Sequence, residues 1–217
     1  MKPQISPSIL SCDPAEFRPA VQQMLDAGCD WLHFDVMDGQ FVPPITFGAD
    51  LVRALRPLKD TPFEVHLMTE TPDEHFDAFI QAGCTRVIFH AEATHHAHRL
   101  CQILHEREIQ AGVAINPATP IDCLLPLIGT MDLALVMTVN PGWGAQRLIE
   151  ECLQKVRRLR EAAPALDIEV DGGIDPTTIG RAWEAGANVF VTGSYLMRAP
   201  TIAKGIENLR AACSSRS

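Results

Sequence analysis

One short pattern occurs three times in the sequence and restricts the fold more than any other feature. The segments "DAGCDWLHFDV" from Asp26, "QAGCTRVIFHA" from Gln81 and "EAGANVFVTGS" from Glu184 each end a helix-like stretch with Ala-Gly and then enter an apolar run. Glycine adopts the left-handed conformation that ends many helices, so each segment is typical of a helix-to-strand junction. The repetition predicts alternating helices and strands.

Apolar runs within and between these junctions predict eight β-strands. They lie near residues 4–10, 31–37, 62–68, 85–90, 110–115, 132–138, 166–171 and 188–193, with helical spacing between them. Alternating βα units form parallel sheets, and eight of them close most naturally into a (β/α)8 TIM barrel. We therefore predict an α/β protein with a single barrel domain over residues 1–217. An open doubly wound sheet is the alternative, although no GxGxxG follows the first strand.

Composition narrows the class of protein. A chain of 217 residues with 47% hydrophobic and 21% charged residues suits one globular domain, and the net charge of −9 argues against nucleic acid or an anionic membrane as partners. The polar start "MKPQISPS" and the lack of a long apolar run predict a cytoplasmic protein. Seven cysteines without a CxxC pair are expected to be reduced thiols.

Four polar side chains fall at or near the carboxyl ends of predicted strands: His33, Asp35, His66 and Asp171. In a barrel of this type the active site lies at those ends. One such residue alone could be a satisfied interior polar group, but four together would bury charge at a high cost unless a cation compensates it. The sequence therefore predicts a divalent metal site for Zn²⁺, Fe²⁺, Mn²⁺ or Co²⁺, without choosing among them.

Other residues near the predicted site have more than one interpretation. By strand alternation Glu64 and Glu169 face inward below the ligands, where they could orient those ligands or pair with an interior Arg or Lys. Met37, Met68 and Met137 could be ordinary core or an apolar pocket lining. The histidines of "THHAHR" from Thr94 are interpreted as a solvated face rather than a metal site.

Glycine-rich turns follow the late strands: "NPGWGAQ" from Asn140, "DGGI" from Asp171 and "TGS" from Thr192. Barrels of this type hold a phosphate after strands seven and eight, with backbone N–H groups as donors. Tight βα turns alone would also explain the glycines. The position of two of the turns favours phosphate binding.

Taken together and in order, several stretches closely resemble the ribulose-phosphate 3-epimerase family over nearly the whole chain. They are "ISPSILSCD", "HFDVMDGQFVPPITFG", "EVHLM", "INPATP", "VMTVNPGWGAQ", "EVDGGI" and "TGS". The resemblance implies a metal-dependent (β/α) barrel of the pentose phosphate pathway that interconverts D-ribulose 5-phosphate and D-xylulose 5-phosphate. It also implies a homo-oligomer.

The resemblance assigns roles to individual residues. His33, Asp35, His66 and Asp171 match the metal ligands, and Asp35 and Asp171 also match the proton acceptor and donor. The matching substrate contacts are Ser8, His66, Gly142, Trp143, Gly144, Ala145, Gly172, Gly173, Gly193 and Ser194. The sequence departs from the usual family pattern where "NPGWGAQ" replaces "NPGFGGQ", "VPP" replaces "VPN" and "TGSYLM" replaces an "AGSAIF" type.

The residues suit epimerisation next to a ketone. A weakly acidic proton must leave one face and another must arrive on the opposite face, so one carboxyl group is needed on each side. A Schiff-base aldolase is disfavoured because the four lysines, at 2, 59, 155 and 204, fall outside the strand ends. A metal-dependent aldolase or decarboxylase, a hexulose-phosphate epimerase and a non-catalytic sugar-phosphate sensor remain as alternatives.

Overall fold

Eight parallel strands form one sheet in the computed structural model, which describes residues 1–214. The strands are β1 (Gln4–Pro7), β2 (Leu32–Met37), β3 (Phe63–Met68), β4 (Arg86–His90), β5 (Gln110–Ile115), β6 (Leu133–Met137), β7 (Asp167–Asp171) and β8 (Val189–Thr192). Their order is β1-β8-β7-β6-β5-β4-β3-β2, and a bridge between Ser8 and His33 joins the two outer strands. The predicted (β/α)8 barrel is thereby confirmed. Residues 215–217 of the predicted domain lie outside the described part of the chain.

Helices connect most of the strands. They are α1 (Phe17–Asp26), α2 (Ala49–Leu55), α3 (Phe76–Gln81), α4 (Ala97–His105), α5 (Cys152–Ala162), α6 (Ile179–Ala185), α7 (Ser194–Arg198) and α8 (Ile202–Ser214). The crossover from β5 to β6 differs, because it contains the short 3₁₀ turns Ile121–Cys123 and Leu125–Leu127 instead of an α-helix. Pro126 lies within that segment, and proline lacks the N–H that a continuing helix needs.

The first strand is shorter than the sequence predicts. It was expected to reach residue 10, but β1 ends at Pro7 and a 3₁₀ turn occupies Ile9–Ser11. Ser8 caps this turn, because its Oγ accepts a hydrogen bond from the backbone N–H of Leu10 at 3.1 Å. The cap turns the chain across the barrel mouth and leaves the Ser8 side chain beside β2.

Side-chain alternation along the strands separates two apolar layers. Residues such as Phe34 and Val65 face outward into a large core between the sheet and the helices. Ile88, Leu135 and Val189 belong to a smaller cluster inside the barrel. The barrel interior is therefore a packed core, and its polar residues are the exceptions that call for a chemical explanation.

Two further expectations from the sequence concern the cysteines and membrane-spanning helices. All seven cysteines are free thiols, and six of them are buried. Among the described helices, none combines the length and the apolar character needed to cross a membrane.

Candidate active site

The four predicted ligands converge at the carboxyl ends of β2, β3 and β7. His33, Asp35, His66 and Asp171 each offer one nitrogen or oxygen atom, and these atoms all lie within 4.8 Å of one another. His33 Nε2 lies 3.3 Å from Asp35 Oδ1, and His66 Nδ1 lies 3.1 Å from the same oxygen and 3.8 Å from Asp171 Oδ2. Two imidazoles and two carboxylates at this spacing suit a single divalent ion.

The orientation of His33 tests whether the site fits a metal. Its Nδ1 lies 2.9 Å from Glu64 Oε1, so Nδ1–H donates to that carboxylate, and in the neutral ring that a metal ligand requires Nε2 carries the lone pair. Nε2 is fully buried and has no hydrogen-bond partner among the described residues. A buried, unsatisfied nitrogen that faces two carboxylates is what a metal ligand requires, so these residues fit the ion.

The two carboxylates at the mouth have opposite electrostatic environments. Without an ion at the site, burial raises the pKa of Asp35, but the charge of a protonated His33 and hydrogen bonds from His33 and His66 outweigh burial and hold that pKa well below its usual value. Ser8 Oγ also donates to Asp35 Oδ2 at 2.5 Å. Burial, followed by the negative charge of Asp35, raises the pKa of Asp171 to about 7. One carboxyl group therefore favours the ionised form while the other retains a proton more readily.

The inward-facing glutamates differ from one another. Glu64 both orients a ligand and pairs with an interior arginine, the two roles that its sequence position allows. It accepts a hydrogen bond from His33 Nδ1 and pairs with Arg86 Nη1 at 2.8 Å. Neither oxygen of Glu169 has a hydrogen-bond partner among the described residues, although Oε1 lies 3.5 Å from His33 Nδ1. Burial and the charge of Glu64 raise the pKa of Glu169 well above its usual value. Glu64 is therefore the residue that orients His33.

A cavity opens directly above the ligand cluster. It is lined by Ser8, Asp35, Asp171, the three strand-end methionines and the glycine-rich turns, so it brings together every predicted substrate contact except His66. His66 is fully buried at the cavity floor, as is His33. Trp143 lies at the rim with 55% of its surface exposed. Met37 and Met68 form a small apolar cluster with Val42 beside the mouth.

The glycines of the late turns permit close packing of neighbouring loops. Gly173 has a φ of 68°, and a Cβ there would lie 2.4 Å from the backbone nitrogen of Leu148. Gly172 has a φ of 120°, and a Cβ there would overlap the side chain of Val139. Any larger residue would force the turns after β6 and β7 apart and change the shape of the cavity.

Several lining residues were not predicted from the sequence. Leu10, Ser11, Gln146, Ile174 and Thr192 line the same cavity. Gln146 and Ser11 lie within the motifs that carry the family resemblance, and Gln146 Nε2 donates to the backbone oxygens of Asn140 and Trp143. Gln146 therefore holds the glycine-rich turn closed rather than pointing freely into the cavity.

A buried histidine beside the ligands was also missed. His90 ends β4, and its Nε2 lies 2.9 Å from His66 Nε2. The alternation rule that identified His33 and Asp35 places His90 inside the barrel as well, so the signal was present. The histidines of "THHAHR" do not join it: His95, His96 and His98 are exposed and belong to no group of potential metal ligands in the described chain.

These features define an α/β-barrel protein with two imidazoles and two carboxylates gathered beneath a mouth of glycine-rich turns. The sequence model of the ribulose-phosphate 3-epimerase family matches residues 4–197, and the chain belongs to this family. The resemblance noted in the sequence is confirmed.

Individual relatives agree with this assignment. The chain is 42% identical over 212 residues to ribulose-phosphate 3-epimerase of Bacillus subtilis (strain 168), which covers 95% of this chain and 98% of that protein. It is 44% identical over 213 residues to ribulose-phosphate 3-epimerase of Synechocystis sp., with 95% and 92% covered. Among solved structures, 3-hexulose-6-phosphate synthase superimposes with a TM-score of 0.72 at 16% identity, covering 96% of this chain and 99% of that one. That similarity concerns the fold alone.

Proposed function

We propose that the protein interconverts D-ribulose 5-phosphate and D-xylulose 5-phosphate by moving the proton at C3 of the sugar. The observation that carries this proposal is the pair Asp35 and Asp171, two carboxyl groups from β2 and β7 that line one cavity beside two imidazoles. Epimerisation needs one group ready to accept a proton and another ready to donate one. Membership of the family supports the same reaction.

One divalent ion would be held by His33, Asp35, His66 and Asp171. When bound, it supplies Lewis-acid stabilisation of the negative charge that develops on the ketose oxygens. Glu64 keeps the Nε2 lone pair of His33 directed toward the ion by accepting the proton on Nδ1. The specific metal, whether Zn²⁺, Fe²⁺, Mn²⁺ or Co²⁺, is not determined by this ligand set.

Asp35 and Asp171 carry the proton transfer. Starting from ribulose 5-phosphate, the ionised Asp35 accepts the C3 proton, and the protonated Asp171 returns a proton to the opposite face. After one forward turnover Asp35 holds a proton and Asp171 is ionised, which is the state that acts on xylulose 5-phosphate in the reverse direction. Proton exchange with solvent in the free enzyme restores the starting state. Ser8 donates to Asp35 Oδ2, which orients the carboxylate and favours its ionised form. The fully buried floor beneath them restricts water, so the proton moves between the carboxyl groups and the sugar.

The phosphate end of the substrate would bind at the glycine-rich turns. Backbone N–H groups of Gly142, Gly144 and Ala145, of Gly172 and Gly173, and of Gly193 and Ser194 line that side of the cavity. Met37, Met68 and Met137 line the mouth and provide adaptable apolar contacts to the sugar.

The five-carbon substrate is preferred in this proposal. Trp143 and Ala145 are bulkier than the Phe and Gly usual in the family, and both line the cavity. Overpacking typically costs about 1 to 3 kcal/mol, or roughly 5- to 150-fold in kcat/KM against a longer sugar. Comparing kcat/KM for ribulose 5-phosphate and allulose 6-phosphate tests this choice, and a ratio that favours the hexulose would overturn it.

Exchange of the C3 proton with D₂O tests the reaction and the roles of the carboxylates. With ribulose 5-phosphate, Asp171→Asn is expected to exchange the C3 proton without inverting the centre, whereas Asp35→Asn exchanges nothing. With xylulose 5-phosphate the expected results are reversed: Asp35→Asn exchanges the C3 proton, whereas Asp171→Asn does not. Metal content is measured in each variant as a control. Formation of cleavage or decarboxylation products instead of the epimer would favour the aldolase or decarboxylase alternative, and no turnover at all would favour a sensor.

Metal dependence has its own test. Elemental analysis is expected to find about one divalent ion per chain, chelation should abolish activity, and His66→Ala should lose metal and activity together. Active enzyme without stoichiometric metal would contradict this part of the proposal.

We further propose that the chain is a cytoplasmic, single-domain homo-oligomer. Light scattering at micromolar concentration should give a mass above the 23.8 kDa of one chain, and a monomer would contradict it.

A further inference from the structure

A chain of hydrogen bonds leads from the ligand cluster into the loop after β4. His66 Nε2 lies 2.9 Å from His90 Nε2, and the two rings meet edge to edge, with planes 23° apart and centroids 5.0 Å apart. His90 Nδ1 lies 3.2 Å from Glu92 Oε2. Both imidazoles are fully buried, while the Glu92 side chain is 24% exposed. The three residues therefore connect the candidate metal site to the surface.

Counting protons shows that only two neutral arrangements of the imidazole pair are possible. One N–H must lie between the two Nε2 atoms, because two lone pairs or two protons would repel there. If that proton belongs to His66, then His66 Nδ1 has a lone pair, His90 Nε2 accepts, and the single N–H of His90 is on Nδ1. If it belongs to His90, then His66 carries a proton on Nδ1, which faces Asp35 Oδ1.

Glu92 decides between these two arrangements. Its Oε1 accepts from the backbone N–H of Asn116 at 2.7 Å and from Thr119 Oγ1 at 2.5 Å, so two donors hold it as a carboxylate beside His90. A carboxylate oxygen opposite His90 Nδ1 favours a proton on that nitrogen and disfavours a lone pair. Asp35 Oδ1, 3.1 Å from His66 Nδ1, would by itself favour a proton on that nitrogen. A divalent ion held by these two residues requires the lone pair there, so with the ion bound the proton between the rings belongs to His66.

We propose that His90 and Glu92 are positioning residues that keep His66 in the tautomer whose Nδ1 lone pair faces the divalent ion. The inference rests on the metal site of the proposed function. It assigns a task to two residues outside the ligand set and explains why a histidine that does not line the cavity is buried beside His66. Phe41, whose ring centroid lies 4.6 Å from that of His90, covers the pair from the barrel mouth.

Metal affinity gives a readout that does not depend on turnover. Purified protein is stripped of metal and titrated with Co²⁺, whose visible spectrum reports the ligand geometry, in competition with a chelator. His90→Leu removes the acceptor for His66 Nε2–H and is expected to weaken Co²⁺ binding about 10- to 100-fold. His90→Gln offers an amide oxygen to the same N–H and should recover part of that loss. Glu92→Gln, which removes the charge but not the shape, should lose affinity by a smaller factor.

A surface histidine provides the matched control. His105 pairs with Asp132 at 2.8 Å and is 40% exposed, so His105→Gln should leave Co²⁺ affinity and the spectrum unchanged. Equal affinities in the wild-type and His90 variants would overturn the inference while leaving the metal site intact. A wild-type protein that binds no Co²⁺ would overturn both the metal site and the inference.

The tautomers can also be observed directly in the wild-type protein, which keeps the inference testable if a His90 variant fails to fold. Long-range ¹H–¹⁵N correlation spectra of the Zn²⁺-loaded protein should show His66 protonated on Nε2 and His90 protonated on Nδ1. The opposite pattern would refute the assignment.

Discussion

At the scale of single residues, Ala145 stands in a conformation that suits glycine. Its φ is 59°, one of two positive values among the described residues other than glycine, the second being Glu108. The family resemblance places a glycine at position 145. The departure identified in the sequence therefore concerns the backbone as well as the volume of the cavity.

Ala145→Gly is expected to stabilise the protein. Left-handed backbone at an alanine destabilises the folded state by about 1 to 3 kcal/mol, and glycine removes this strain. The greater freedom of glycine in the unfolded chain offsets about 0.4 to 1 kcal/mol of that gain. The free energy of unfolding should therefore rise by about 1 kcal/mol in urea denaturation. Glu108→Gly, which changes a turn far from the cavity, should give a similar gain with unchanged KM. A loss of stability in both variants would contradict this explanation.

Strand alternation was sufficient to find most of the site from the sequence. His33, Asp35 and Met37 share one face of β2 because side chains alternate, and the register pairs Asp35 with His66 on β3. The opposite pKa shifts of Asp35 and Asp171 could not be predicted, since they depend on burial and on distances between side chains from different strands. The role of Glu92 could not be predicted either. Glu92 follows the end of β4 and acts through the His90 ring, whose orientation the sequence does not give.

At the scale of elements, a buried arginine joins four strands below the active site. Arg86 on β4 is 1% exposed. It donates to Glu64 on β3 at 2.8 Å and to Gln110 on β5 at 2.9 Å, and it lies 3.6 Å from Asp167 on β7. Its guanidinium also stacks on Trp31, 3.6 Å from the ring centroid. This buried cation therefore compensates the charge of Glu64 and lies close to that of Asp167.

Arg86→Met is expected to destabilise the barrel strongly. Removing one partner of a buried ion pair leaves uncompensated charge and typically costs about 3 to 5 kcal/mol. Arg107→Met is the matched control, because Arg107 pairs with Asp77 at 3.0 Å on the surface and should cost about 0 to 1 kcal/mol. Chemical denaturation of both variants measures the difference. Equal losses would show that burial of the Arg86 pair has no special importance.

Glu92 connects β4 to the loop after β5, and this connection should depend on pH. Burial raises the pKa of Glu92, but hydrogen bonds from His90, Thr119 and Asn116 outweigh it and lower the pKa to about 2. Because the unfolded value is about 4.3, the stabilisation is present above that pH and is lost as the pH falls toward 2.

Glu92→Gln should therefore cost about 1 kcal/mol at neutral pH. The difference in unfolding free energy from the wild-type protein should shrink as the pH falls from about 5 to about 3. Urea denaturation of metal-free protein at several pH values measures this difference. A constant difference over that range would exclude the carboxylate charge as its cause.

The helix content of the crossovers was less predictable than the strands. Eight strands follow from apolar runs, yet the segment between β5 and β6 forms 3₁₀ turns where the other crossovers up to β8 form α-helices. Short 3₁₀ turns and short helices have similar apolar spacing, so the pattern alone does not separate them. The topology is unaffected, because any connection of sufficient length returns the chain to the same end of the barrel.

At the scale of the whole molecule, an acidic protein must attract an acidic substrate. The net charge is −9, whereas the proposed substrate carries a phosphate. Three arginines, Arg147, Arg181 and Arg198, line a second cavity that shares Ala145, Gly173 and Ser194 with the proposed phosphate side of the first. Glu150, which pairs with Arg181, and Asp175 also line this cavity, so its lining carries a small excess of positive charge, against the sign of the molecule as a whole.

Arg198→Gln is expected to lower kcat/KM for the ketose phosphate by about 3-fold at low ionic strength, because one positive charge near the entrance contributes to attraction of the anion. The loss should shrink at about 0.5 M salt, since screening over a few ångströms removes long-range attraction. Arg158→Gln is the matched control: Arg158 is exposed on α5 and lies 3.8 Å from Asp122, so it changes the net charge equally without lining either cavity. Steady-state kinetics at both ionic strengths separate the possibilities. A loss that persists unchanged in high salt would assign Arg198 to direct contact with the substrate, and an equal loss in Arg158→Gln would show that net charge alone controls the encounter.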